Sequence, residues 1–224
     1  MFGLKLQKVR SFDKSNPLPL MASAVDRLIY FNGLLGRIAG VEGDIVECGV
    51  GWGRSLFAFA ALSAHFEQER HIYGHDSFSG FPEPTPEDDA LLRGISAGRY
   101  TTNEVAVTRY LRNSGIEQEY IDANMTLVPG FFSETLSGYN GRPIALLHLD
   151  CDLYQSFHDA LCHLYPKVEE GGIIAFDEFH DTAKFPGARK AVDEFFTHRE
   201  MIVKSEIIDR YFAVKGCVEN KKGG

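Results

Sequence analysis

Residues 44–55 read Asp44-Ile45-Val46-Glu47-Cys48-Gly49-Val50-Gly51-Trp52-Gly53-Arg54-Ser55. A short β-rich run turns through three glycines into 55–67, a segment rich in Ala, Leu and Phe that reads as a helix. The rest of the chain repeats this alternation. Further strands read at 71–75, 125–128, 144–149 and 172–176, with helices at 104–113, 156–165 and 187–198. Ile144-Ala145-Leu146-Leu147 is apolar throughout, as expected of a sheet covered on both faces. Two last strands, 204–209 and 211–215, have almost nothing between them, so they predict an antiparallel hairpin at a sheet edge. The fold class is α/β, a doubly wound and mostly parallel sheet with that hairpin at its C-terminal edge.

At about 150 residues per domain, 224 residues predict one domain with extensions. A turn at Asn16-Pro17-Leu18-Pro19 sets off an N-terminal arm. Arm and first helix (21–39) make up 1–40, the main domain 41–218 and a tail 219–224. The 44% hydrophobic and 24% charged content excludes disordered, collagen-like and coiled-coil chains. A net charge of -8, with no block of Lys or Arg, argues against nucleic-acid or anionic-membrane partners. Residues 1–14 lack the continuous apolar core of a signal peptide, and the longest apolar stretch, 56–62, is too short to span a bilayer. Cys48, Cys151, Cys162 and Cys217 form no CxxC pair and no zinc-ligand spacing, which fits reduced thiols. The expectation is a soluble, cytoplasmic protein.

In a doubly wound sheet, ligands bind beyond the carboxyl ends of the strands. The first strand delivers Glu47 and the glycine loop. Glycines let backbone turn and approach a ligand, and the following helix presents its N–H groups there. A dinucleotide fingerprint needs glycine at position 54, where this chain has Arg54. The remaining acid-x-Gly-x-Gly-x-Gly is the pattern of S-adenosylmethionine-dependent methyltransferases, whose cofactor carries an ammonium group that suits an acid. The second strand delivers Asp76, followed by Phe78, placed to lie on an adenine; alone, Asp76 reads first as a helix cap or turn acid, and with the glycine loop before it as the holder of a ribose diol. The fourth strand ends at Asp150-Cys151-Asp152 and the fifth at Asp177-Glu178. Four neighbouring carboxylates are costly unless a cation joins them, and hard oxygen ligands suit magnesium, calcium or manganese. The long connection 78–102, with Pro82, Pro84, Pro86 and acids 87–89, is either a substrate lid or a solvated loop. Trp52 reads as a pocket wall or as packing, Arg189 as a substrate contact or an ion-pair partner. Tyr30 and Phe31 are assigned to a dimer surface or an N-terminal lid.

Several blocks together resemble the macrocin O-methyltransferase (TylF-like) family. They are Glu47-Cys48-Gly49-Val50, Asp76-Ser77-Phe78-Ser79-Gly80-Phe81-Pro82-Glu83-Pro84 and Gly130-Phe131-Phe132-Ser133-Glu134-Thr135-Leu136. Leu149-Asp150-Cys151-Asp152-Leu153-Tyr154-Gln155-Ser156, Tyr165-Pro166, Gly171-Gly172-Ile173-Ile174 and Pro186-Gly187-Ala188-Arg189-Lys190-Ala191-Val192 extend the match over roughly residues 40–200. The resemblance implies a class I methyltransferase (Rossmann-like) fold using S-adenosylmethionine and a divalent metal, usually magnesium. It also implies methylation of a sugar hydroxyl on a small molecule or glycan, and a homodimer. Carried over by position, Asp150, Asp177 and Glu178 hold the metal and Asp152 is the general base. Glu47, Gly49, Gly51, Ser55, Asp76, Ser77 and Phe78 line the cofactor site, with Gly130 and Phe131 near the adenine. The chain departs from the family at Glu178, where an aspartate is common, at Cys151, where glycine is usual, and at Gly51-Trp52-Gly53. Two alternatives stay open on the residues alone: a nicotinamide-dependent oxidoreductase, and a binding domain that has lost its chemistry.

Overall fold

The computed structural model describes residues 22–66, 70–90, 94–196 and 202–216. The arm before residue 22, the last predicted helical residues at 67 and 197–198, Cys217 and the tail lie outside them. Among the described residues, seven strands form one sheet in the order β3-β2-β1-β4-β5-β7-β6. They are β1 (Asp44–Cys48), β2 (Ile72–Asp76), β3 (Met125–Pro129), β4 (Ile144–Leu149), β5 (Val168–Phe176), β6 (Ile202–Lys204) and β7 (Tyr211–Val214). The first five are parallel; β7 runs antiparallel to β5, and β6 antiparallel to β7. Every residue of β1 and β4 is buried, which is why β4 opens with the apolar run 144–147 rather than an alternating pattern; in β1 the buried acids Asp44 and Glu47 are hydrogen-bonded instead.

Helices cover both faces. On one side lie α1 (Ala22–Arg37), α2 (Arg54–His65) and α3 (Glu104–Asn113). Tyr30, Phe31, Leu34, Leu35 and Ile38 make the buried stripe around the end of α1, between 0% and 3% exposed. Tyr30 and Phe31 therefore belong to the core, not to a dimer surface or lid. Phe31 packs on Phe59 of α2, with ring centroids 4.7 Å apart. The opposite face carries α6 (Tyr154–Leu164) and α7 (Pro186–Phe195), which bury Phe157, Leu161, Ala188 and Val192. Two short helices, α4 (Gln118–Asn124) and α5 (Phe132–Thr135), flank β3.

The final hairpin differs in detail from the expectation. The predicted strand 204–209 ends at Lys204. There Ser205 Oγ accepts hydrogen bonds from Ile207 N (3.1 Å) and Ile208 N (3.5 Å), and Ser205 N donates to Arg210 O (2.8 Å). A serine turn thus competes with the ladder and bends the chain. No described helix is long and apolar enough to cross a membrane.

Strand register fixes the site. Cys48 pairs with His75 on one side and Leu149 on the other, and Leu149 pairs with Phe176. The residues after these positions therefore leave the sheet at one level: Gly49, Asp76, Asp150 and Asp177. β1 and β4 are the strands between which the chain order reverses, the crevice where such sheets bind ligands.

Candidate active site

Beyond β1 the backbone takes left-handed values at Gly49 (φ +94°), Gly51 (+52°) and Gly53 (+81°). At Gly49 this freedom is needed twice, because a Cβ there would also overlap the carbonyl of Asp150. The loop is held from β2. Asp76 Oδ2 accepts from Val50 N (2.8 Å) and Gly51 N (3.0 Å), while Oδ1 accepts from Phe78 N (2.8 Å). The turn-acid role of Asp76 is thus real, and the same residue also faces the ligand space.

That space is a cavity of about 830 Å³. Of the predicted residues, Gly49, Gly51, Ser55, Asp76, Ser77, Phe131, Asp150 and Asp152 line it. Glu47, Phe78, Gly130, Asp177 and Glu178 do not. Glu47 is fully buried under the loop and bonded to His148 Nδ1 at 2.9 Å. Burial raises its carboxyl; in His148 burial opposes the charged form, but Glu47, Asp150 and Asp177 together raise the imidazole. Phe78, at φ +52°, belongs to the apolar core on the side of α1, α2 and α3 and does not line the cavity. Gly130 supports the wall from behind, its N–H donating to Asp76 O at 3.0 Å. Trp52, 61% exposed, is a wall rather than packing, and Arg189 pairs with Asp193 at 2.7 Å, outside the cavity.

The structure adds lining residues that no motif marks, among them Arg27, Arg99, Tyr100 and Lys184. The connection 78–102 supplies part of this wall. Its ends are closed by Phe81 N to Arg99 O and Gly98 N to Phe81 O, both 3.0 Å.

Carboxylate oxygens of Asp150, Asp177 and Glu178 lie within 4.8 Å of one another. Asp177, buried, is gripped from two sides. Arg27 donates to both its oxygens (2.6 and 2.7 Å), and Arg210 does the same (2.8 and 3.2 Å). Burial works against ionisation, but the two guanidiniums win and hold Asp177 at about 2. The others go the opposite way. Burial first, and neighbouring carboxylates second, raise Asp150 and push Glu178 well up; the same causes carry Asp152 to about 8. Negative charge is therefore under-neutralised at Asp150, Glu178 and Asp152. An all-oxygen donor set with that deficit fits a hard divalent cation.

This arrangement has a sign for stability. An acid raised above its unfolded value binds more protons folded than unfolded, so stability falls as pH rises toward the folded value. Asp152 acts in that direction up to about 8, and the raised Glu178 and His148 act in the same sense. Asp177 titrates well below that value, as does His75, which burial lowers to about 4. The thermal midpoint of metal-free protein is expected to drop across pH 6.5–8, by roughly 1 kcal/mol of stability per pH unit for each fully shifted group. Asp152→Asn should flatten that slope; an unchanged slope in the variant would contradict the assignment.

Comparison with known proteins identifies the family. The macrocin-O-methyltransferase (TylF) family matches residues 25–217. A Streptomyces olivaceus 8-demethyl-8-(2,3-dimethoxy-alpha-L-rhamnosyl)-tetracenomycin-C 4'-O-methyltransferase is 34% identical over 142 residues, covering 62% of this chain and 54% of its own length. The demethyldecarbamoylnovobiocin O-methyltransferase of Streptomyces niveus is 32% identical over 176 residues, covering 76% and 64%. This chain thus spans roughly half to two thirds of these relatives. The solved structure of the O-methyltransferase NovP superposes with a TM-score of 0.72 at 28% identity, over 85% of this chain and 80% of that one. With its glycine loop and acid cluster on this sheet, and the match running through nearly all the described residues, the chain belongs to the macrocin O-methyltransferase family.

Proposed function

We propose that this protein transfers the methyl group of S-adenosylmethionine to a sugar hydroxyl of a small molecule or glycan, with Asp152 as general base. The observation that carries the reading is the placement of Asp152. It lies on the wall of the cavity that the glycine loop opens into, beside the cluster of Asp150, Asp177 and Glu178. The relatives' names, O-methyltransferases acting on glycosylated natural products among them, support the same class.

S-adenosylmethionine would supply an electrophilic methyl group. Gly49, Gly51, Ser55, Asp76 and Ser77 would bind it at the glycine-loop end of the cavity, with Phe131 on the wall. Asp150, Asp177 and Glu178 would hold a divalent cation, magnesium by the family resemblance, which would lower the effective pKa of the acceptor hydroxyl. Asp152 takes the hydroxyl proton as the new C–O bond forms and the sulfur–methyl bond breaks, leaving S-adenosylhomocysteine. The walls contributed by Tyr100, Trp52 and Phe131 exclude water and orient the acceptor in line. Glu47 acts indirectly, holding His148 under the loop.

The test is label transfer from methyl-labelled S-adenosylmethionine to a panel of nucleotide sugars and glycosides. Labelled sugar ether should form with magnesium, fall by at least about tenfold with a chelator, and return when magnesium is restored. Turnover indifferent to the chelator would remove the cation from the mechanism. Label on no sugar, with label on a catechol or carboxylate instead, would overturn the acceptor class.

A further inference from the structure

The proline-rich stretch of the connection 78–102 carries a buried carboxylate. Asp88 is 1% exposed, while Asp89 beside it faces solvent. Its two oxygens have separate partners. Oδ2 accepts from Thr85 N (2.8 Å) and Thr85 Oγ1 (3.0 Å), closing its own turn. Oδ1 reaches 66 positions away and accepts from Tyr154 N at 2.7 Å, the first residue of α6.

Tyr154 follows the turn that carries Asp152. Leu153 N donates to Cys151 O at 2.6 Å, a three-residue turn with Asp152 at its centre and φ +63°. A non-glycine residue holds such a conformation only when its surroundings fix both ends. The upstream end is fixed by Asp150 N donating to Cys48 O at 2.9 Å. The downstream end is fixed by Asp88. The sequence also keeps room for this contact, because a Cβ on Gly187 of α7 would overlap Asp88 Oδ1 and crowd Tyr154.

We propose that Asp88 is a positioning residue that clamps the strained turn and so aims the Asp152 carboxylate. The proposal rests on the reading of Asp152 as general base. It makes the connection 78–102 more than a wall. The same segment lines the cavity through Phe81, Pro82, Arg99 and Tyr100, so the acceptor side and the base share one anchor.

The two oxygens allow a test. Asp88→Ala should lower kcat about 10–100-fold, the scale of a misplaced catalytic group, with the affinity for S-adenosylmethionine within about threefold of wild type. Asp88→Asn keeps an oxygen for Tyr154 N but offers none to Thr85 N, so it should recover most of the lost kcat at a reduced thermal midpoint. Thr85→Ala should lower the midpoint and leave kcat alone. Should Asp88→Ala fail to fold, Gly187→Ala displaces Oδ1 while sparing the Thr85 bonds, and should show the same kcat loss. Wild-type kcat in Asp88→Ala or Gly187→Ala overturns the proposal. So does a kcat loss in Thr85→Ala equal to theirs, since the effect would then follow stability alone. Asp152→Asn in the same assay separates the two readings: full turnover there removes the base, whatever Asp88 does.

Discussion

Asp152→Asn is expected to lower turnover by about 10²–10⁴-fold, the usual contribution of a positioned base, while S-adenosylmethionine still binds within about threefold of wild type. The asymmetry follows from where the residue sits. The groups that would hold the cofactor are on the β1 loop and at the end of β2, and Asp76 stabilises that loop through Val50 N and Gly51 N without help from Asp152. Asp152 belongs to the next strand end, beside Asp150 and Glu178, and its N–H lies 3.4 Å from Glu178 Oε2. Burial, and then Asp150, hold the carboxyl at about 8, so a cation that neutralised Asp150 would bring it toward working range at neutral pH. An amide cannot accept the proton at any pH. Rapid mixing with labelled cofactor measures the chemical step directly, and a variant retaining more than about a tenth of wild-type turnover would exclude Asp152 as the base.

Gly49→Ala is expected to cost about 2–4 kcal/mol of stability and to abolish cofactor binding. Two independent penalties meet there: φ is +94°, and the added Cβ would overlap backbone of Asp150 rather than a side chain that could move away. Relief requires separating the ends of β1 and β4, the two edges of the binding crevice. Gly51→Ala is the control. It shares a left-handed φ, +52°, but a Cβ there meets nothing within 4 Å, so its cost is the backbone term alone, about 1 kcal/mol. Denaturant melts of the pair read the difference. Equal costs would mean that the close approach at Gly49 is not what holds the crevice shut.

The parts of this molecule legible in its sequence are those set by local rules. Short apolar runs such as 144–147 and the glycine loop after Cys48 mark a parallel sheet, and acids at strand ends fall on the ligand edge because the sheet order puts them there. Sequence rules do not say which way a side chain turns once it reaches that edge. Glu47, one residue before the end of β1, faces His148 under the loop, and the left-handed backbone at Phe78 sends its ring into the core. The arginines on Asp177 were illegible for another reason: they come from 150 positions upstream and 33 downstream, with no motif around either. Asp88 is hidden likewise among exposed acids until the fold brings Tyr154 to it. The helix α4 was missed because seven largely polar residues with one buried position, Ile121, carry no readable period.

The central claim is that S-adenosylmethionine occupies the cavity between the glycine loop and the acid cluster. Calorimetric titration of the intact protein with S-adenosylmethionine and, separately, with NAD tests it most directly. A single site of micromolar affinity for S-adenosylmethionine is expected, with no heat from NAD. Binding of NAD with none of S-adenosylmethionine would contradict it.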